Sequence, residues 1–282
     1  MKIKSDICEL TFSLEGAQIT SFYNKETGLQ YMWQGNPNYW SGRNPILFPI
    51  IGNTYTGKYT IDNKEYSLPK NGLLRYATFD LVCENDDSIE FKYSSNQDTL
   101  KQYPYEFDFL VKYTIVNNRL YADFTVINKN DCDMPFSFGW HPAFNCPINK
   151  DKKFEDYHVE LDSPEILHRI NCFTNEINDL QEPTMILPLK YETFEKEHAM
   201  FFVDTKSKRV KLTDNEHGIS ISIDGYKWFT CWTKPNAPFL CIEPWTSKSD
   251  IVENNYTFFD RPGTTVLKAH DVYHKQCDVI VF

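Results

Sequence analysis

The stretch "VKYTIVNNRLYADFTVIN", Val111 to Asn128, alternates apolar and polar side chains on both sides of an asparagine pair. Apolar residues stand at every second position before the pair and again after it, so each half presents one hydrophobic face. Asn117 and Asn118 tolerate the positive φ angles that a two-residue hairpin turn requires. The stretch therefore predicts two antiparallel strands joined by a tight turn.

The same alternation recurs along the whole chain. Hairpin patterns surround Asp62-Asn63 and residues 85–87, and another occupies residues 210–226. Only "SSNQDTLKQYP", residues 94–104, favours a short helical turn, capped by a serine or asparagine and ended before the proline. Strands with turn signals from end to end favour a sandwich or barrel. We therefore expect an all-β protein with little helix, a single large antiparallel β-sandwich domain over residues 1–282.

Composition excludes several classes of function. The 282 residues include 39 acidic and 29 basic side chains, which gives a net charge of -10. Binding to nucleic acid or to an anionic membrane needs a basic face, so we expect neither partner. The chain begins without the apolar region of a signal peptide, and its eight cysteines show no C-x-x-C pairing. We expect reduced, mostly buried cysteines and a cytoplasmic location.

Three segments interrupt the alternation and concentrate unusual residues. They are "YWSGRNPILFPIIGN" (39–53), "SFGWHPAFNCP" (137–147) and "CWTKPNAPFLCIEPW" (231–245). His141 and Glu243 each stand directly before a proline, which restricts their backbone to extended conformations. Glu243 ends an apolar run, where a lone carboxylate is costly unless it is paired. The two residues are a candidate acid–base pair; the alternative is a hydrogen-bonded core histidine and a structural carboxylate.

Other motifs give no support for cofactor chemistry. His270, His274 and Cys277 have a spacing that could ligate a metal on a helix, but their segment reads as a terminal strand, whose period of two would not bring them together. The chain has no G-x-G-x-x-G, no P-loop and no G-x-S-x-G. We expect no metal site and no cofactor.

The three segments, in this order, resemble the aldose 1-epimerase (galactose mutarotase-like) family, and in particular its bacterial branch. The resemblance is nearly end to end: residues 15–53 are similar to the N-terminal portion of the family, residues 134–147 to its histidine motif and residues 232–245 to its glutamate motif. It implies the large antiparallel supersandwich of the family and an isomerase of carbohydrate metabolism. Such an enzyme interconverts the α and β anomers of a sugar without a cofactor.

The resemblance also implies roles for individual residues. Glu243 matches the general base that takes the proton of the anomeric hydroxyl, and His141 matches the general acid that protonates the ring oxygen. Arg43 matches an arginine of the sugar pocket. Trp232, near the glutamate motif, is a candidate to lie against the apolar face of the sugar ring; the alternative is packing in the core. Free glutamate and histidine have pKa values of about 4.3 and 6.5, and attraction between their charged forms widens that interval. Activity should then fall in acid as the carboxylate protonates and in alkali as the imidazolium loses its proton.

The chain departs from the family pattern in two places. In "LPKNGLLRYATF" (68–79), Asn71 stands where the family usually has a second histidine, ahead of the matching Arg75. Asparagine can donate and accept hydrogen bonds but cannot carry charge. Trp140 stands where glycine is usual, and its ring would line or narrow the pocket. We predict that Arg43, Asn71, Arg75, Trp140 and Trp232 bind substrate.

Three functions remain open from the sequence. The first is epimerisation of a free hexose, and the second is epimerisation of a phosphorylated hexose, with Arg43, Arg75 and Lys234 as candidate phosphate ligands. The third is a non-catalytic carbohydrate-binding protein, which the change at Asn71 favours and the retained pair disfavours. All three take a small-molecule sugar. The sequence leaves open the identity of the sugar, the oligomeric state, the pathway and a sugar-binding acid among Glu197, His198 and Asp204.

Overall fold

A computed structural model describes residues 1–282, and its regular structure is mostly antiparallel β-strand, as the alternation predicts. The strands, in chain order, are β1 (Lys2–Lys4), β2 (Cys8–Phe12), β3 (Ile19–Asn24), β4 (Leu29–Gln30), β5 (Ile46–Leu47), β6 (Lys58–Ile61), β7 (Lys64–Ser67), β8 (Asp80–Glu84), β9 (Ser88–Ser94), β10 (Phe107–Val116), β11 (Arg119–Asn128), β12 (Met134–Phe136), β13 (Gly139–Trp140), β14 (Ala143–Asn145), β15 (His158–Glu165), β16 (His168–Ile170), β17 (Ile177–Asp179), β18 (Thr184–Pro188), β19 (Met200–Val203), β20 (Arg209–Thr213), β21 (Gly218–Ser222), β22 (Trp228–Trp232), β23 (Phe239–Trp245), β24 (Thr265–Leu267) and β25 (Val272–Val281). The helices are α1 (Gln97–Gln102) and α2 (Tyr191–Glu197), with two 3-10 turns at Leu74–Tyr76 and Phe154–Asp156.

Two large sheets dominate the architecture. The nine-stranded sheet has the order β18-β15-β20-β21-β25-β11-β10-β9-β8. The eight-stranded sheet has the order β17-β16-β19-β22-β23-β13-β5, with β14 also paired to β23. A four-stranded sheet (β1 to β4) and two strand pairs (β12 with β24, β6 with β7) complete the fold. The predicted antiparallel sandwich is confirmed.

The predicted hairpins form at the predicted turns. β10 pairs with β11 from Phe107 opposite Asn128 to Val116 opposite Arg119, and Asn117 in the turn has a φ of 54°. Asp62 in the β6–β7 turn likewise has a positive φ. The short helix predicted in residues 94–104 is α1, and the side chain of Asn96 caps it by accepting hydrogen bonds from two backbone N–H groups. Local sequence chemistry is sufficient for these elements because the pairing partners are neighbours in the chain.

The main core is a continuous cluster of 61 buried apolar residues that runs from Ile3 to Val281. Aromatic side chains fill much of it. Phe48, for example, packs against four other aromatic rings, at centroid distances of 4.9 to 6.2 Å. Each fully buried side chain of this size contributes roughly 1.5–3 kcal/mol to folding. None of the helices is long and apolar enough to cross a lipid bilayer.

The eight-stranded sheet has a second face, turned away from this core. In β22, Phe229 and Cys231 belong to the main core, while Trp228, Thr230 and Trp232 point to the opposite side. We call this opposite side the site face. In β23, residues of the site face alternate with core residues Leu240 and Ile242. The site face carries Phe239, Cys241, Glu243 and Trp245. It thus holds both apolar and ionisable groups.

Candidate active site

His141 is positioned by backbone contacts on two sides. Its N–H donates to the carbonyl of Pro45 at 3.1 Å, next to β5, and the carbonyl of Pro142 accepts from the N–H of Ile242 in β23 at 3.1 Å. Gly139, two residues earlier, pairs with Trp245 of β23. Paired residues face the same side of a sheet, so Gly139 faces the site face. Because side chains alternate along a strand, His141 follows Gly139 onto the same face. This places the imidazole beside β23.

The structure brings His141 and Glu243 together. The Nε2 atom of His141 lies 3.0 Å from Oε2 of Glu243, and the side chains are 12% and 1% exposed. The contact is close but poorly aligned, because Oε2 has no hydrogen-bond partner. No backbone N–H and no other side chain donates to this carboxyl group. The pair is therefore in proton-transfer range without being locked by other hydrogen bonds.

Two tryptophans enclose the imidazole. Trp40 lies over it, with a ring-centroid distance of 5.0 Å and 33° between the planes, and Trp232 approaches with its edge at 5.8 Å. The two tryptophans contact each other at 5.4 Å in an edge-to-face arrangement. Phe239 packs behind both rings. These rings exclude water from the pair and offer apolar surfaces that match the carbon face of a sugar ring.

Burial controls the charge state of the pair. Burial, together with the positive charges of Arg75 and Lys70, lowers the pKa of His141 to about 3. Burial also raises the pKa of Glu243 well above its ordinary value, while the same two cations oppose that rise. Desolvation thus moves both pKa values toward the uncharged forms, against the attraction between the charged forms on which the sequence prediction relied. A single proton on the pair is then favoured on the carboxyl group, which leaves both residues uncharged.

Four buried polar atoms at this site have no hydrogen-bond partner. They are Nδ1 of His141, Oγ1 of Thr230, Oε2 of Glu243 and Nε1 of Trp245. An unsatisfied buried polar group costs about 1–3 kcal/mol, so such groups are usually paired. A ligand that carries several hydroxyl groups could pair them. Unpaired polar atoms clustered on the site face are typical of a site that binds a polar ligand.

Lys70 and Arg75 place positive charge at the edge of the pair. The guanidinium of Arg75 lies over the ring of Tyr76, with its Cζ 5.0 Å from the ring centroid, and has no carboxylate partner. Lys70 is exposed and likewise forms no ion pair, yet its charge acts on both His141 and Glu243. The sequence analysis did not single out Lys70, although it directly precedes Asn71.

Asn71 fixes the loop that carries these cations. Its Oδ1 accepts from the N–H of Gly52 at 2.8 Å, and its own N–H donates to the carbonyl of Gly52 at 2.8 Å. Its φ of 68° suits asparagine, and the following Gly72 lies so close to Phe48 that a Cβ there would be 2.1 Å from a carbonyl oxygen. The Nδ2 atom of Asn71 has no protein partner. It remains a possible donor to a ligand, as the substrate-binding prediction requires.

The prediction that Trp140 binds substrate is wrong. Its side chain is fully buried in the main core, where its ring packs on Phe124 and its Nε1 donates to the carbonyl of Asn44 at 3.1 Å. The physical reason is the alternation of β13: Gly139 occupies the site face, so Trp140 points to the opposite side. The bulky ring therefore neither lines nor narrows the site.

Arg43 and Lys234 hold the loop that carries Trp40. The Nε atom of Arg43 donates to the carbonyl of Gln34 at 3.0 Å, and Nζ of Lys234 donates to the carbonyl of Tyr39 at 2.6 Å. Both cations are thus engaged by the segment 34–42. Arg75 and Lys70 are therefore the cations whose charges affect the pKa values of His141 and Glu243.

The three candidate acids between 197 and 204 form no contact with the pair. Glu197 ends α2 and pairs with Arg169 at 2.5 Å, His198 caps the same helix, and Asp204 is exposed after β19. The structure therefore supports none of the three as the sugar-binding acid that the sequence leaves open.

Cys241 completes a group of three potential metal ligands that sequence reasoning missed. Ligand atoms of His141, Cys241 and Glu243 lie within 4.8 Å of one another, which is the donor set of a soft divalent cation. Burial raises the pKa of the Cys241 thiol well above its ordinary value, and the nearby Glu243 adds to that rise. Metal binding would need the thiolate, which this environment disfavours in the metal-free protein. The position of Cys241, two residues before Glu243, is the signal that could have identified it.

Comparison with known proteins identifies what the chain is similar to. The family model described as aldose 1-epimerase matches residues 1–277. Protein LacX, chromosomal, from Lactococcus lactis subsp. lactis is 30% identical, and the match covers 100% of this chain and 99% of that protein. A galactose mutarotase related enzyme from Lactobacillus acidophilus superposes with a TM-score of 0.93 at 28% identity, over 100% of this chain and 97% of that one. A galactose mutarotase-like protein from Lactobacillus casei gives 0.92 at 25% identity, over 100% and 99%.

Proposed function

This chain belongs to the aldose 1-epimerase family, and we propose that it interconverts the α and β anomers of a free hexose. The observation that carries the proposal is the 3.0 Å approach of His141 Nε2 to Glu243 Oε2. Two side chains that are far apart in the sequence meet in a water-poor position between Trp40 and Trp232. General acid–base catalysis by such a pair contributes typically 10²–10⁴-fold to a rate.

The proposed reaction moves one proton in each direction. Glu243, as the carboxylate, takes the proton of the anomeric hydroxyl while His141, as the imidazolium, protonates the ring oxygen. The bond between C1 and the ring oxygen breaks, and the open-chain aldehyde forms. Rotation about the C1–C2 bond then exposes the other face of the carbonyl. Ring closure with the two roles reversed returns both protons and gives the opposite anomer.

A bound sugar also supplies what the isolated pair lacks. Without a ligand, burial favours the state in which the single proton is on Glu243. The reactive state, with a carboxylate and an imidazolium, needs hydrogen bonds to the charged carboxylate. Sugar hydroxyls that reach the unpaired atoms of the site would provide them. Binding would therefore shift the proton to His141 and prepare the pair for the reaction.

Polarimetry tests the proposal directly. Freshly dissolved α-glucose and α-galactose relax to their equilibrium rotation slowly in buffer, and the wild-type protein should accelerate that relaxation. His141→Ala and Glu243→Gln should each lower kcat by at least about 10². A wild-type protein that does not exceed the buffer rate on either sugar excludes free-hexose epimerisation of these substrates and leaves a carbohydrate-binding role, which equilibrium binding of the same sugars would reveal.

One observation favours a phosphorylated hexose as a second candidate substrate. Lys70 and Arg75 lie at the edge of the pair without acidic partners, in a protein whose net charge is -10. A phosphate group on the sugar could pair with both cations. A coupled assay on hexose 6-phosphates against the free hexoses distinguishes the two: a kcat/KM at least about tenfold higher for the phosphorylated sugar supports this candidate, and equal values exclude it.

A further inference from the structure

Thr230 and Glu243 are directly opposite each other in neighbouring strands. The register of β22 and β23 pairs their Cα atoms, so both side chains point to the site face. Directly opposed residues of an antiparallel pair have Cβ atoms about 4.5–5.5 Å apart. A threonine hydroxyl and a glutamate carboxyl group starting from that separation can meet by rotation of their side chains.

The hydroxyl of Thr230 is unusual among the buried threonines. Thr230 is 3% exposed, and its Oγ1 has no hydrogen-bond partner. The other three buried threonines donate to backbone carbonyls: Thr99 to Asn96, Thr213 to His217 and Thr233 to Phe239. The unpaired hydroxyl of Thr230 therefore faces an equally unpaired carboxyl group across the strand pair.

We infer that Thr230 is a positioning residue for the proposed general base, and that its hydroxyl donates a hydrogen bond to the carboxylate of Glu243 when that group is ionised. This inference rests on the proposed function. A hydroxyl suits a base that cycles between two states, because it can donate to the carboxylate and accept from the carboxylic acid. The backbone offers Glu243 no such donor.

Other groups around Glu243 cannot take this role. His141 must hold the exchanging proton, so it cannot be a constant donor. Cys241 and Cys231 present buried thiols, which are weak donors. Lys70 and Arg75 act on Glu243 through their charge but form no hydrogen bond with it. Among neighbours without charge, Thr230 is the cross-strand partner whose hydroxyl can form a hydrogen bond with both the carboxylate and the carboxylic acid.

The test is a titration of Glu243 in the full chain, by ¹³C NMR of protein labelled at the glutamate carboxyl carbons. Glu243→Gln assigns the resonance through its loss. Thr230→Val keeps the shape of the side chain and removes the hydroxyl, and it should raise the pKa of Glu243 by about one unit. Thr230→Ser should restore the wild-type value. Thr213→Val, which removes a buried hydroxyl from the nine-stranded sheet, should leave the value unchanged.

An unchanged titration in Thr230→Val overturns the inference, and so does an equal rise in Thr230→Ser. If Thr230→Val does not fold, Thr230→Ala removes the same hydroxyl with less bulk and gives the same measurement. In the pH profile of kcat/KM, the limb that Glu243 controls should move to higher pH with the same variants. Failure of the wild type to epimerise sugars, together with a shifted titration, would remove the proposed function and leave the contact between Thr230 and Glu243 intact.

Discussion

Trp40 covers the imidazole of His141, and the glycine two residues later makes that position possible. The ring centroids are 5.0 Å apart. A Cβ atom on Gly42 would lie 2.4 Å from Cζ2 of Trp40, which is closer than atoms can pack. The loop bearing Trp40 is held by Arg43 and Lys234. The position of the ring that covers the imidazole thus depends on Gly42, Arg43 and Lys234.

We predict that Gly42→Ala lowers kcat/KM about tenfold, which corresponds to about 1.4 kcal/mol of transition-state stabilisation. The added methyl group would displace the ring of Trp40 from His141. Gly57→Ala is the control, since a Cβ there contacts nothing within 4 Å and affects only backbone strain. Polarimetric rates and thermal unfolding of both variants separate the two effects; equal activity in Gly42→Ala and the wild type would contradict the role of Trp40.

The charge state of His141 gives a second prediction. Because burial lowers its pKa to about 3, the imidazole should stay neutral in the ligand-free protein from pH 8 to pH 5. The carboxyl group, whose pKa is raised, should keep its proton to a higher pH than a free glutamate does. The ¹⁵N chemical shifts of the histidine rings report this, with His141→Gln for assignment. An imidazolium at residue 141 already at pH 6 would show that attraction to Glu243 outweighs desolvation.

Trp140 should contribute to the stability of the fold and not to substrate binding. Trp140→Phe removes buried volume and the hydrogen bond to Asn44, so the free energy of unfolding should fall by about 1–3 kcal/mol. The KM for the sugar should not change. Trp232→Phe is the contrasting variant: it alters the edge that faces His141 and should raise KM with a smaller loss of stability. Denaturant unfolding and steady-state kinetics on both variants check this, and a raised KM in Trp140→Phe would restore the original prediction.

The cations at the edge of the site should contribute through their charge. Lys70→Ala and Arg75→Ala each remove a positive charge that lowers the pKa values of both Glu243 and His141, so both groups should bind a proton more tightly and less of Glu243 should be the carboxylate that acts as base. The kcat/KM of either variant should fall about 3- to 30-fold, and more for a hexose 6-phosphate than for a free hexose if the phosphorylated sugar is the substrate. Lys64→Ala, on the β6–β7 hairpin, is the control. Equal losses in all three variants would indicate a general effect of net charge.

Sequence reasoning succeeded where partners are close in the chain or where a residue is restricted by its neighbour. The β10–β11 hairpin follows from period-two alternation and an asparagine pair. His141 and Glu243 stood out because each precedes a proline beside an apolar strand. Their meeting also depends on the pairing of β13 and β14 with β23, which no local pattern specifies.

The errors have equally physical causes. Trp140 was assigned to the wrong face because β13 has only two residues, too few for a period of two to reveal its orientation. Lys70 and Trp40 lie in loops whose conformation is set by distant contacts, such as those of Asn71 with Gly52 and of Lys234 with Tyr39. The shifts of the two pKa values arise from burial, which no local sequence pattern specifies.

The most direct test of the central claim asks whether His141 and Glu243 act as one unit. Exchange NMR on glucose labelled with ¹³C at C1 measures anomer interconversion at equilibrium, for the wild type, His141→Gln, Glu243→Gln and the double variant. We predict that each single variant loses nearly all of the acceleration and that the double variant loses little more, because a proton shuttle fails when either member is missing. Losses that multiply in the double variant, or a single variant that exchanges the anomers as fast as the wild type, would contradict the account.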